Sequence, residues 1–263
     1  MKSKKMEEKL TFDVIILAGR KKNGVLEAQF NVSTKALIPF NERPMILYVL
    51  DAVRDTPGVR NIIITGPKDV LIPVVSEDNI KLLPDRGGIL ENIEEAIGYL
   101  NPSEDDFVLI ITSDIPLITS EMIAYFVNTA EKYDADFFYP ILRKEVCEEK
   151  FPETKRTYGT VKEGTFTGGN LFLVRAHAFM DARDILKRAI SYRKKPWKLS
   201  KLLGLSFLIK FFAKKLTIPE VEDRAYELLG YKGKAIEVPY PEIGIDVDKE
   251  SDYLIVQERL KNN

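Results

Sequence analysis

The chain has one cysteine (Cys147), one histidine (His177) and one tryptophan (Trp197) among its 263 residues. A lone cysteine cannot form an intramolecular disulfide, and cysteine–histidine zinc sites lack the ligands they need. A Ser-His-Asp or Cys-His mechanism would have to use His177, in LVRAHAF, where the pattern places it at the end of a strand. Also missing is any run of 18 apolar residues, so no transmembrane helix is expected. The opening MKSKKMEEKL lacks the apolar stretch of a secretory leader; it reads as a solvated lead-in, and the cytoplasm is the expected location. One-sided charge is absent as well. Thirty-nine lysines and arginines against 40 aspartates and glutamates leave a net charge of −1, so nucleic acid is not an expected partner. The chemistry must rest on carboxylates, lysines, arginines and backbone amides. That set suits magnesium and phosphate, because hard oxygen donors hold a hard cation.

What is present is an alternation of apolar runs and helical patterns. Phe12 to Ala18 (FDVIILA), Val59 to Thr65 and Phe107 to Thr112 read as strands covered on both faces, the habit of a parallel sheet. Ile80 to Leu83, Ala135 to Arg143, Phe166 to Val174 (FTGGNLFLV) and Lys234 to Val238 complete the expected strands. Helices are expected from Pro44, after Gly87-Gly88, from Pro116 to Lys132, and after GIDVDKESD. Alternation at this spacing implies a doubly wound α/β sheet. Residues 181–230 are expected to form a helical insertion or lid within a single domain spanning 1–263. Inside it, Leu202 to Leu216 is apolar around most of a helix, with lysines at 201, 210, 214 and 215. A buried or homodimer-forming helix is the first expectation for it, and contact with a membrane surface the second.

Three segments offer chemistry. In VIILAGR, Gly19 follows a strand and could bring backbone amides to a triphosphate, with Arg20 and Lys35 to neutralise it. Gly19 and Gly24 have P-loop spacing, but Val25-Leu26 stand where Lys-Ser/Thr is needed, and the dinucleotide G-x-G-x-x-G pattern is absent. In TSDIPLIT, Asp114 ends an apolar strand, where packing explains a carboxylate poorly and helix capping is the alternative. In GIDVDKESD, strand alternation would put Asp246 and Asp248 on one face. Capping is the alternative there too, for Asp252 or one of the pair. Two carboxylates from distant segments hold magnesium better than one.

Read in order, VIILAGR, KALIPFNERPMILYVLDAV, DRGGILENIEEAI, TSDIPLIT, TGGNLFLV and GIDVDKESDYL resemble the motifs of the MobA-like NTP transferases, a branch of the GT-A-type nucleotidyltransferases. RKKPWKLSKLLG and TKRTYGT resemble a subgroup of that family. The resemblance implies a three-layer, doubly wound, mostly parallel mixed sheet of the nucleotide-diphospho-sugar transferase type. It implies Mg2+ held by Asp114 and Asp248, with Asp248 preferred over Asp246. The triphosphate would lie on Ala18, Gly19, Arg20 and Lys35, and Gly87 and Gly88 would border the base. The acceptor would face Gly169 and Asn170, with Arg156 and Arg193 near its phosphate. The implied activity moves NMP from an NTP to a phosphorylated small molecule and releases pyrophosphate. The rivals are a GT-A-type glycosyltransferase using a nucleotide sugar and a nucleotide-binding module without turnover. The chain departs from the family pattern twice: the loop from Gly19 to Lys35 is long and lacks a second early glycine, and Thr34 replaces the proline before the lysine.

Overall fold

The computed structural model describes residues 10–19, 24–75, 80–192 and 203–261. Arg20 and Arg193, together with Lys194, Lys195 and Trp197, lie outside the described residues.

Among these residues a nine-stranded mixed sheet forms the middle layer. Its centre is β1 (Phe12–Leu17), flanked in parallel by β2 (Val59–Gly66) and β3 (Phe107–Thr112), with β4 (Ile80–Pro84) parallel beyond β2. β5 (Phe137–Arg143) lies on the other side of β8 (Leu171–Arg175), which runs antiparallel to both it and β3. β9 (Gly233–Glu237) pairs in parallel with β5. β7 (Gly164–Gly168) pairs antiparallel with the end of β5, and β6 (Gly159–Val161) closes the edge against β7. The doubly wound, mostly parallel mixed sheet expected from the sequence is present.

Side chains alternate between the sheet's faces, and each face has its own core. Phe12, Val14 and Ile16 of β1 pack beneath α1 (Met45–Arg54) and α2 (Ser120–Ala130). Ile15 faces the opposite core, covered by α3 (Ile89–Leu100) and α4 (Ala176–Tyr192). A third, smaller core gathers Phe40, Met45, Leu117, Ile245, Val247 and Val256 of the last helix, α5 (Glu250–Lys261). Through Leu117 it ties the carboxyl-terminal segment to the loop that follows β3.

Several expectations need correction. FTGGNLFLV is not one strand: the chain breaks at Gly169-Asn170 between β7 and β8, where a side chain on Gly169 would collide with Ile243 and Pro140. The helix expected from Pro116 begins only at Ser120, capped by the Thr119 hydroxyl, which accepts from the Met122 N–H at 3.4 Å. Asp246 and Asp248 lie outside any strand. Short helices at Lys68–Val75 and Lys144–Lys150 were not foreseen, one carrying Pro73 and the other only seven residues long. In the insertion, α6 (Leu205–Phe212) and α7 (Ile218–Leu229) are separate helices, and α6 has no buried residue. Leu205, Ile209 and Phe212 face solvent, so the buried helix expected there is overturned. No helix among the described residues is long and apolar enough to cross a membrane.

Candidate active site

Ala18, Gly19, Lys35, Asp114 and Asp248 converge on the end of the sheet where β1 and β3 terminate. β1 ends at Leu17, so buried Ala18 and exposed Gly19 emerge beside Ser113 and Asp114, which follow β3. The Ser113 N–H donates to the Leu17 carbonyl at 3.0 Å and the Ala18 N–H to the Thr65 carbonyl at 2.8 Å, which aligns the three strand ends. Thr34, buried, donates its hydroxyl to the Ala18 carbonyl at 3.4 Å. Proline has no such hydroxyl, so the substitution noted in the sequence ties the lysine loop to the first strand.

Lys35 begins a one-turn 3-10 helix, Lys35–Leu37, and its ammonium bridges the two expected metal carboxylates. Nζ donates to Asp114 Oδ2 at 2.7 Å and to Asp248 Oδ1 at 2.6 Å. The segment bearing Asp248 is held in place by the backbone, through the Val247 N–H and the Asp114 carbonyl at 3.0 Å. That bond, with Val247 fully buried, brings in Asp246 as well. Asp114, Asp246 and Asp248 each offer an oxygen within 4.8 Å of the others. Asp252 instead caps α5, accepting from the N–H groups of Asp248 and Lys249 at 3.1 Å each.

The electrostatics follow from this crowding. Three carboxylates gather around the Lys35 ammonium. Burial, and then the neighbouring charges of Asp114 and Asp248, push the Asp246 carboxyl up to about 6. Burial alone would lower Lys35, but the charges and hydrogen bonds of Asp114 and Asp248 outweigh it and raise the ammonium above the ordinary lysine value. A cluster of three hard oxygen donors fits a divalent cation of the magnesium type.

On the Gly19 side of the site lies the loop Asp85–Gly88, with Asp85 Oδ2 3.5 Å from where a side chain on Gly19 would begin. Gly87 adopts φ +84°, a left-handed conformation that favours glycine, and Gly88 precedes α3. The loop is braced by Asn92, a buried polar residue absent from the sequence-based candidates. Its Oδ1 accepts from the Arg86 N–H at 2.6 Å and its Nδ2 donates to Asp85 Oδ1 at 3.0 Å, while Gly87 N–H donates to the same Asp85 oxygen at 2.9 Å. Asn92 sits at the border of the apolar stripe of α3, where periodicity does not single it out.

On the other side is a cleft of about 370 Å³, lined by Lys155, Arg156, Thr157, Asp246, Asp248 and Lys249 among others. Arg156 reaches it, but its guanidinium donates to the carbonyls of Gly244 and of Gly168, the latter at 3.2 Å. It therefore acts first as a clamp between the end of β7 and the carboxyl-terminal segment. Lys155 and Lys249, not singled out in the sequence, add positive charge to the cleft. Asn170 is fixed through its backbone: its N–H donates to the Ile243 carbonyl at 3.0 Å and its carbonyl accepts from the Thr112 N–H at 3.1 Å. Its side-chain Nδ2 is buried without a hydrogen-bond partner, a costly arrangement unless a bound group accepts from it. His177 lies elsewhere, at the start of α4, bonded through Nδ1 to the Glu104 carbonyl.

A glycine after the first strand, a lysine between two carboxylates and a third carboxylate beside them fit the residue set that the sequence resemblance implied. The chain belongs to the MobA-like NTP transferase family, whose model matches residues 15–191. Among solved structures it is similar to a hypothetical transferase from Thermus thermophilus, 40% identical, with a TM-score of 0.81 covering 92% of this chain and 99% of that one. The fold also matches CMP:2-keto-3-deoxy-manno-octonic acid synthetase complexed with CTP, at 14% identity and a TM-score of 0.61, covering 96% and 99% of the two chains. Among curated proteins it is similar to the 8-amino-3,8-dideoxy-manno-octulosonate cytidylyltransferase of Shewanella sp. strain W3-18-1, 29% identical over 118 residues, or 44% of this chain and 48% of that protein. The chain thus matches about half the length of the curated relatives.

Proposed function

We propose that this chain transfers an NMP group from an NTP to a phosphorylated small-molecule acceptor and releases pyrophosphate. The observation that carries the proposal is the bridging of Asp114 and Asp248 by Lys35, with Asp246 alongside, at the carboxyl end of the central strands. Open α/β sheets bind ligands at that end. The proposed setting is the cytoplasm, and the proposed arrangement is a single domain with 181–230 as a lid.

In the proposed reaction an acceptor phosphate oxygen attacks the α-phosphorus in line. The bond from the α-phosphorus to the bridging oxygen of the β-phosphate breaks, and pyrophosphate leaves with the electron pair. A phosphate nucleophile is already ionised near neutral pH, so no residue need act as general base. Asp114 and Asp248 would hold Mg2+, with Asp246 within reach; when bound, the ion would withdraw charge from the α-phosphate oxygens. Lys35, kept cationic by its carboxylates, supplies a fixed positive charge to the triphosphate, and Gly19 lets the backbone come close to it. Arg20 is proposed as a second cation there. Gly87 and Gly88, on a loop braced by Asn92, border the base. The cleft beside Asp246 and Asp248 receives the acceptor, with Lys155, Arg156 and Lys249 favouring an anion and Arg193 proposed to join them. The unpartnered Asn170 Nδ2 donates to the acceptor, over the backbone of Gly169.

The curated relatives are named as cytidylyltransferases, which favours CTP as the donor. Thermal stabilisation by each NTP with Mg2+, beside the corresponding nucleotide sugars, tests the proposal. Stabilisation by CTP with Mg2+ supports it. Stabilisation by nucleotide sugars alone would favour a glycosyltransferase, and turnover with no acceptor of any class would favour a binding module.

A further inference from the structure

α6 is apolar around most of its circumference, and one of its apolar faces is turned outward. Leu205, Ile209 and Phe212, spaced one turn apart on one face, are 70%, 60% and 77% exposed. Phe207, Leu208 and Phe211 are half-buried on the opposite face, and Leu216 is buried and pins the end of the segment, its carbonyl accepting from the Lys162 N–H at 2.8 Å. Three large apolar side chains held out in water on a short helix are an unfavourable arrangement without a partner.

The charge around this face selects the partner. α6 carries no aspartate or glutamate; Lys210 on it pairs with Glu220 at 2.6 Å, in a chain whose overall net charge is −1. Lys214 and Lys215, both exposed, directly follow the helix. A second copy of this chain would bring the same positive charge against itself, and such repulsion opposes a two-fold contact through this face. An apolar face bordered by cations on an otherwise balanced protein is complementary to a membrane surface rich in anionic lipid. We infer that α6 docks this transferase onto anionic membrane surfaces, with Leu205, Ile209 and Phe212 entering the interface and Lys214 and Lys215 meeting the headgroups. The Phe211 ring is in contact distance, 3.6 Å, of where a side chain on Gly159 would begin, and Thr157, two residues earlier, lines the cleft beside Asp248. Docking would therefore set that cleft next to the headgroup layer.

Co-sedimentation of the full chain with vesicles of phosphatidylcholine, with and without phosphatidylglycerol, tests the inference. Because it needs neither nucleotide nor turnover, its failure would leave the proposed transfer reaction standing, and the reverse. The wild type should sediment with the anionic vesicles, stay in solution with phosphatidylcholine alone, and be released by salt. Ile209→Glu or Phe212→Glu should abolish sedimentation, whereas Leu254→Glu, at an exposed position on α5, should not. Each lysine near such a surface contributes about five-fold to partitioning, so Lys214→Glu with Lys215→Glu should lower it by at least about twenty-five-fold. If an apolar-face variant fails to fold, this charge variant, at exposed positions, carries the test. No sedimentation of the wild type, equal sedimentation with neutral vesicles, or a concentration-dependent dimer lost in Phe212→Glu would overturn the inference.

Discussion

Replacing Asp246 by asparagine should stabilise the metal-free protein, and only above a defined pH. In the folded chain the Asp246 carboxyl is pushed up to about 6, first by burial and then by Asp114 and Asp248, against 3.8 when it is free of them. Below about pH 4 the folded and unfolded chains both hold its proton, so the substitution removes no charge. Between about pH 4 and 6 the unfolded chain releases the proton while the folded chain keeps it, and folding loses stability as pH rises. Above about pH 6 the loss is complete. Two pH units at 1.36 kcal/mol each amount to about 3 kcal/mol. The geometry agrees in size, because two carboxylate oxygens within 4.8 Å of each other repel by at least about 3 kcal/mol at an effective dielectric near 20. Asp246→Asn should thus exceed the wild type by about 3 kcal/mol at pH 7.5 in EDTA, with the gain vanishing towards pH 4. Urea titrations at several pH values measure this directly. Adding Mg2+ at about a hundred times its Kd should stabilise the wild type by nearly 3 kcal/mol. A variant no more stable than the wild type at pH 7.5, or more stable by the same amount at every pH, would refute the reasoning.

Asn92→Ala should cost about 1–3 kcal/mol in urea unfolding, because it strips partners from the Arg86 N–H and Asp85. It should also weaken nucleotide binding, measured calorimetrically, by loosening the Gly87-Gly88 loop. Gly66→Ala should destabilise by about 1–3 kcal/mol, since its added carbon would lie 2.7 Å from both the Ala18 carbonyl oxygen and Leu71 Cδ1. Its effect should extend to catalysis, read as pyrophosphate release, because Ala18 leads into Gly19.

The layers of this fold were legible because β1 and β3 are nearly pure apolar runs, and few other structures bury both faces of such strands. Asp114 was legible for the same reason: a carboxylate ending FVLIIT has no packing explanation. Asp246 was harder. Alternation paired it with Asp248 on one face of a strand, but residues 245–248 are outside any strand, and the segment meets Asp114 through the Val247–Asp114 backbone bond. Such a long-range bond leaves no periodic trace. Asn92 and the second role of Arg156, holding two backbone carbonyls, depend on partners distant in sequence and could not be read from local pattern. The break at Gly169-Asn170 was marked by its glycines, but only the nearness of Ile243 and Pro140 shows why the chain must turn there. The apolar run of the insertion suggested burial, and hydrophobicity alone cannot tell a helix that faces a core from one that faces outward.

The central claim is that the Lys35-bridged carboxylates support nucleotidyl transfer. Pyrophosphate release from CTP with Mg2+, across a panel of phosphorylated sugars and alditols, compared between wild type and Asp114→Asn, tests it most directly. The account predicts release dependent on acceptor and Mg2+, lowered by about 10²–10³-fold in the variant. Undiminished release by Asp114→Asn would contradict it.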